Sequence, residues 1–109
     1  MHELGITQQI VECVASRANG SIVRRVVLEI GKLTAVLPDA IRFCFDLCAE
    51  GTVAQGAELE IREIPGLARC KACGADVTLE RAFGRCDCGN SDLDWITGEE
   101  LNILEMELV

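Results

Sequence analysis

Positive charge is scarce in this chain: ten lysines and arginines stand against eighteen aspartates and glutamates, a formal charge of −8 over 109 residues. That balance argues against nucleic acid and anionic membrane surfaces as partners, because their phosphates would be repelled. Cations, or a partner with a basic face, fit better. Long apolar runs are also missing. Nothing approaches the roughly 20 residues that span a bilayer, and the N-terminus lacks the basic region and apolar stretch of a secretory signal. The chain is therefore expected in the cytoplasm, where thiols stay reduced. No Gly-rich phosphate loop occurs, so any nucleotide hydrolysis belongs to a partner. The carboxylates do not mark out an acid–base pair in a pocket, and the chain reads as a non-enzyme. Histidine occurs once, at His2, and only Phe43, Phe45, Phe83 and Trp95 are aromatic.

Half of the residues are hydrophobic, which is enough to fold but, at this length, supports one core and at most a small satellite that needs a staple. Residues 3–19 carry Leu4, Ile10, Val11, Val14, Ala15 and Ala18 at helical spacing, with Gly20 placed to end the helix. Residues 22–30 are rich in β-branched side chains and read as a strand, with Val26, Leu28 and Ile30 on one face. Pro38 suits a first helical turn, and Ile41, Cys44, Phe45 and Cys48 continue an apolar stripe until Gly51. Two further strands are expected at 57–64 and 101–108. The predicted architecture is α+β: two helices on a three-stranded sheet, with a small zinc-ribbon-like domain inserted before the last strand. The domain boundaries are 1–66 plus 99–109 for the α+β part and 67–98 for the insertion.

That insertion holds two close thiol pairs, Cys70-Lys-Ala-Cys73 and Cys86-Asp-Cys88. Each pair can chelate one tetrahedral ion from its own turn, and Gly74 and Gly89 give the backbone freedom to turn beneath it. Zinc suits four thiolates, and its binding would supply the folding energy of a segment poor in apolar residues. The second pair is one residue shorter than the usual knuckle and needs a tighter loop. An iron–sulfur cluster also takes four cysteines, and unliganded or redox thiols are the other readings. Cys13, Cys44 and Cys48 fall at helical positions and are expected to be buried core thiols. A second site is suggested by Met1-His2-Glu3. The α-amine, the amide nitrogen and the imidazole of His2 can form fused chelate rings, with Glu3 supplying another donor. Amide nitrogens favour Ni(II) or Cu(II) over zinc. A terminal His-Glu pair is more often a functionless end, so the pattern gains weight only from its company.

Taken in order, Met1-His2-Glu3, the amphipathic helix, Val26-Val27-Leu28-Glu29-Ile30-Gly31, Pro38-Asp39-Ala40 with Phe43 and Phe45, and the four cysteines resemble the HypA/HybF family of hydrogenase maturation proteins. The resemblance covers essentially the whole chain. It implies a nickel metallochaperone with an α+β nickel-binding domain and a separate zinc domain. It implies His2 and Glu3 at the nickel site, and Cys70, Cys73, Cys86 and Cys88 as zinc ligands. The implied partners are a HypB-type GTPase and the large subunit of [NiFe]-hydrogenase, with room for a homodimer. The alternative is a zinc-ribbon adaptor that binds protein and transfers no nickel.

Overall fold

The computed structural model describes residues 2–109, without the side chain of His2. Helix α1 (His2–Ala18) is followed by strand β1 (Val23–Gly31), a 3-10 turn (Lys32–Thr34), helix α2 (Pro38–Ala49) and strand β2 (Glu58–Ile64). Strands β3 (Gly66–Cys70), β4 (Asp76–Leu79), β5 (Leu93–Thr97) and β6 (Leu101–Leu108) complete the order. Two three-stranded sheets result, β2-β1-β6 and β4-β3-β5, so the fold is α+β as the sequence implies.

The chain divides into two compact units. One comprises Met1–Leu28, Val36–Arg62 and Asn102–Val109; the other comprises Glu29–Ala35 and Glu63–Leu101. In the first, α1 packs against α2. Ile10, Val11, Val14 and Ala18 from α1, Ile41, Phe45 and Ala49 from α2, and Val23, Val26 and Leu28 from β1 are buried, which is where its stability resides. Two side chains depart from the expected pattern. Leu4 is exposed, and Thr7 takes the buried place one turn on, because its hydroxyl donates to the Glu3 carbonyl at 2.6 Å and so enters the core satisfied. On α2 the buried row is 41, 45, 49, which leaves Phe43 69% exposed and Leu47 on the outer side. Cys44 and Cys48 are half-buried, and Cys13 is exposed where the sequence suggested a core thiol. Arg25 on β1 bonds Glu60 on β2 and Glu107 on β6, so one charge ties all three strands.

The second unit is built on β3. Strand β4 pairs with it antiparallel, Ala68 opposite Val77 and Arg69 opposite Asp76, and β5 pairs antiparallel on the other side, Cys70 opposite Leu93. Its apolar cluster is small: Leu33, Ala68 and Leu79, with Val77 and Leu93 against it. Leu33 explains why Glu29–Ala35, placed by the sequence in the first domain, belongs to this unit. The 3-10 turn seats Leu33 in the small core, and the Leu33 N–H donates to the Gly98 carbonyl at 2.8 Å. The approach is too close for side chains there. A Cβ on Gly98, whose φ is +113°, would lie 2.7 Å from Leu33 Cγ and 2.8 Å from Gly66 Cα.

Candidate metal centre

The four cysteines sit on two turns. The first closes the β3–β4 hairpin: the Cys70 N–H donates to the Ala75 carbonyl and the Gly74 N–H to the Cys70 carbonyl, both at 2.9 Å. Gly74 adopts φ +77°, which lets Cys73 turn back toward Cys70. The second turn precedes β5. The Gly89 N–H donates to the Cys86 carbonyl at 2.8 Å and the Cys86 N–H to the Asn90 carbonyl at 2.9 Å. With Gly89 at φ +94°, these two bonds close the tight loop that the shortened Cys86-x-Cys88 spacing requires.

All four Sγ atoms lie within 4.8 Å of one another; Cys70 and Cys88 are 3.6 Å apart, Cys73 and Cys86 3.5 Å. A zinc ion with Zn–S bonds of about 2.3 Å needs a tetrahedral edge of about 3.8 Å, so the donor set fits one such ion. Such short separations leave room for a single ion and not for a cluster of several irons. Cys70 and Cys86 are buried while Cys73 and Cys88 reach solvent.

The thiols are electrostatically unequal. The Asn90 side-chain amide, 3.4 Å from Cys70 Sγ, and the Cys73 N–H, at 3.5 Å, hold the Cys70 thiol down to about 6. The Ala75 N–H favours a thiolate at Cys73, yet the sulfurs of Cys86 and Cys70 push it up to about 12. Cys88 is raised likewise by the sulfurs of Cys70 and Cys86, against the N–H of Asn90. Four negative sulfurs this close ionise together only around a cation, which is the chemical demand the site makes. Asn90 is the residue that sequence reasoning missed. Its only signal was a polar side chain two positions after the second pair, able to donate to a ligand and fix its geometry.

Met1 lies outside the described residues, as does the imidazole of His2; His2 begins α1. Glu3 is buried, and its carboxylate accepts the Leu37 N–H at 3.1 Å, which holds the entry to α2. Asp39 is fully exposed beside Arg42. Among the described residues the four cysteines are the one cluster of three or more metal-ligating side chains. No described helix is long and apolar enough to cross a membrane.

Known proteins share this plan. A family model described as "Hydrogenase/urease nickel incorporation, metallochaperone, hypA" matches residues 1–108. The hydrogenase maturation factor HypA of Trichormus variabilis is 64% identical over 108 residues, covering 99% of this chain and 96% of that protein. The corresponding factor of Geotalea uraniireducens is 43% identical over 109 residues, with 99% of each chain covered. The solution structure of the Ni metallochaperone HypA from Helicobacter pylori shares the fold, with a TM-score of 0.69 at 23% identity over 100% of this chain and 98% of that one. A match that runs from the amino-terminal helix through the four-sulfur centre to the last strand leaves one conclusion: the chain belongs to the HypA family of nickel metallochaperones and hydrogenase maturation factors.

Proposed function

We propose that this protein is a non-enzymatic, cytoplasmic carrier that binds Ni(II) at its amino terminus and releases it to the large subunit of a [NiFe]-hydrogenase, working with a HypB-type GTPase. The observation that carries the reading is the family match across residues 1–108, which spans both Met1-His2-Glu3 and the cysteine pairs. The first unit is the nickel domain, and the second is held by zinc on Cys70, Cys73, Cys86 and Cys88. Nickel is the cargo, and His2 with Glu3 receives it.

Chemistry supports this division of labour. The α-amine, the His2 amide and the imidazole form fused rings that suit a square-planar ion, and a helix that starts at His2 leaves its first-turn amides without intrahelical acceptors. A terminal site built from few donors exchanges its ion readily, as a carrier requires. Four thiolates hold zinc without exchange and keep the second unit folded.

Calorimetric titration of nickel into zinc-loaded protein with its native N-terminus tests the reading. One nickel per chain is expected. His2→Ala abolishes binding, and so nearly does a short uncleaved N-terminal extension, since acylating the amine breaks a chelate ring. Zinc content stays unchanged in both. Nickel binding that is as tight with the extension as without it removes the amine from the ligand set. No nickel binding by the native chain returns the protein to the adaptor reading.

A further inference from the structure

Asn90 reaches three of the four ligand cysteines without being a ligand itself. Its carbonyl accepts the Cys86 N–H at 2.9 Å, its own N–H points to Cys88 Sγ, and its side-chain amide donates to Cys70 Sγ at 3.4 Å. The first two bonds close the shortened Cys86-x-Cys88 turn from within. The third crosses to the other turn, since Cys70 ends β3, 20 residues earlier in the chain.

The amide has only one way round. Nδ2 also donates to the Asp92 carbonyl at 2.9 Å, and Oδ1 accepts the Asp92 N–H at 3.3 Å. Exchanging the two atoms would set oxygen against a carbonyl and against sulfur, and nitrogen against an N–H, so all three bonds would be lost. Asp92 is in turn tied to the first pair. Its carbonyl accepts the Lys71 N–H at 3.3 Å, and its carboxylate pairs with the Lys71 ammonium at 3.3 Å. One amide hydrogen of Asn90 is thus spent on a backbone anchored next to Cys70, and the other is left aimed at the Cys70 sulfur.

That aim matters most in the charged state. A thiol is a weak acceptor, whereas a bond to a thiolate is charge-assisted. The contact therefore strengthens in the form that a metal requires. Four thiolates repel one another as they gather, and a donor already in place offsets part of that repulsion. Groups that orient a metal ligand in this way are worth about 10–100-fold in affinity.

We propose that Asn90 is a positioning residue of the four-sulfur centre: its side chain fixes Cys70 on the first turn while its backbone closes the second, so that both pairs are set for one ion before it binds. The inference rests on zinc as the ion those sulfurs hold, and extends that reading from the ligands to the residue that governs how firmly the ion is retained. The competing account confines Asn90 to shaping the loop after Cys88, through its two bonds to Asp92.

Competition for zinc between the whole chain and a chromophoric chelator tests retention, and absorption of the cobalt(II) form reads the sulfurs directly. The wild-type chain is expected to hold one zinc. Asn90→Ala raises its apparent Kd about tenfold or more, and Asn90→Asp raises it further, because a carboxylate then faces a thiolate. In both variants the sulfur-to-cobalt charge-transfer band moves to longer wavelength, since a sulfur relieved of an N–H donor gives up its electrons more easily. Ser91→Ala, an exposed neighbour on the same loop, changes neither reading. Zinc affinity equal to wild type in Asn90→Ala and Asn90→Asp overturns the proposal. So does weakened zinc binding with the cobalt band left at its wild-type position, which assigns Asn90 to the loop alone. A wild-type chain that takes up no zinc overturns the zinc reading and this one together, whereas the first two results leave zinc in place and remove only Asn90.

Discussion

The first unit fully buries Val14, Val26, Val27 and Ile41 and nearly all of Phe45, whereas the second gathers a smaller buried cluster of Leu33, Ala68 and Leu79. Both are mixed or all-β layers around a three-stranded sheet, yet only the first has the apolar area to fold by hydrophobic burial. Below a certain size a domain needs a staple, and the second unit places four thiols where a larger protein would place leucines. The contrast also separates tasks. On the proposed function, a unit that folds without metal would carry the exchangeable nickel, while a unit that folds around metal would hold its ion permanently.

The largest effect should come from breaking the staple. Structural zinc contributes on the order of 10–16 kcal/mol of apparent binding free energy in small domains, more than the total stability of most of them. Cys73→Ser is therefore expected to lose zinc and to remove amide protection from β3, β4 and β5. The helical circular dichroism of α1 and α2 and the protection of β1 should persist. Acidification acts in the same direction, because each ligand must be deprotonated and zinc affinity falls with pH. Loss of helix signal together with zinc would erase the distinction between the units.

The complementary break is Phe45→Ala. Truncating a fully buried phenylalanine costs about 3–5 kcal/mol, and Phe45 is 1% exposed. Thermal unfolding followed at the helix band should shift strongly downward while zinc content per chain stays at its wild-type value. If zinc is lost first, the two units fold as one.

The same difference explains how far the sequence could be read. Helices α1 and α2 and strand β1 declare themselves by apolar pattern because each sends residues into a real core, whereas β2 and β6 show alternation in sequence although none of their residues is fully buried. Strands β3, β4 and β5 declare themselves in neither way. Gly66-Leu67-Ala68-Arg69-Cys70 has neither alternation nor β-branched residues, and its sheet is set by the cysteine turns and by Leu33 arriving from a distant part of the chain. Phe43 and Phe45 show the limit on a helix. Both are phenylalanines on one apolar-rich element, and only the row shared with Ile41 and Ala49 goes inside. The four sulfurs were legible from spacing alone, since chelation by turns is a local property. Asn90 was not, because a residue that supports a ligand carries no pattern of its own.

A finer test of the second unit leaves its ligands intact. Gly98→Ala puts a side chain at a φ of +113°, against Leu33 and Gly66. Strain at such a position combined with overpacking costs about 1–3 kcal/mol. Hydrogen exchange in β3 and β5 should accelerate, and a chelator should strip the variant faster than the wild type. Exchange in α1 and α2 should not change. Equal acceleration in both units would mean that the small core around Leu33 supports the whole chain.

The smallest effect lies on the sheet of the first unit, where charge adds to a core that already suffices. Arg25 bonds Glu60 and Glu107. Arg62 and then Arg25 hold the Glu60 carboxyl below its ordinary value, and Arg24 and then Arg25 do the same for Glu107. A carboxyl depressed in the folded state adds stability above its unfolded pKa, near 4.3, and that stability is lost as pH falls through the lower folded value. Arg25→Met keeps the aliphatic stem and removes the charge. Its melting temperature should fall modestly below wild type at neutral pH, and the gap should close on acidification toward pH 3 as both carboxyls protonate. Salt should narrow the gap at neutral pH, since these groups are partly exposed. A gap that stays constant with pH would assign the role of Arg25 to packing over β1, and the sheet would then owe its order to apolar contacts alone.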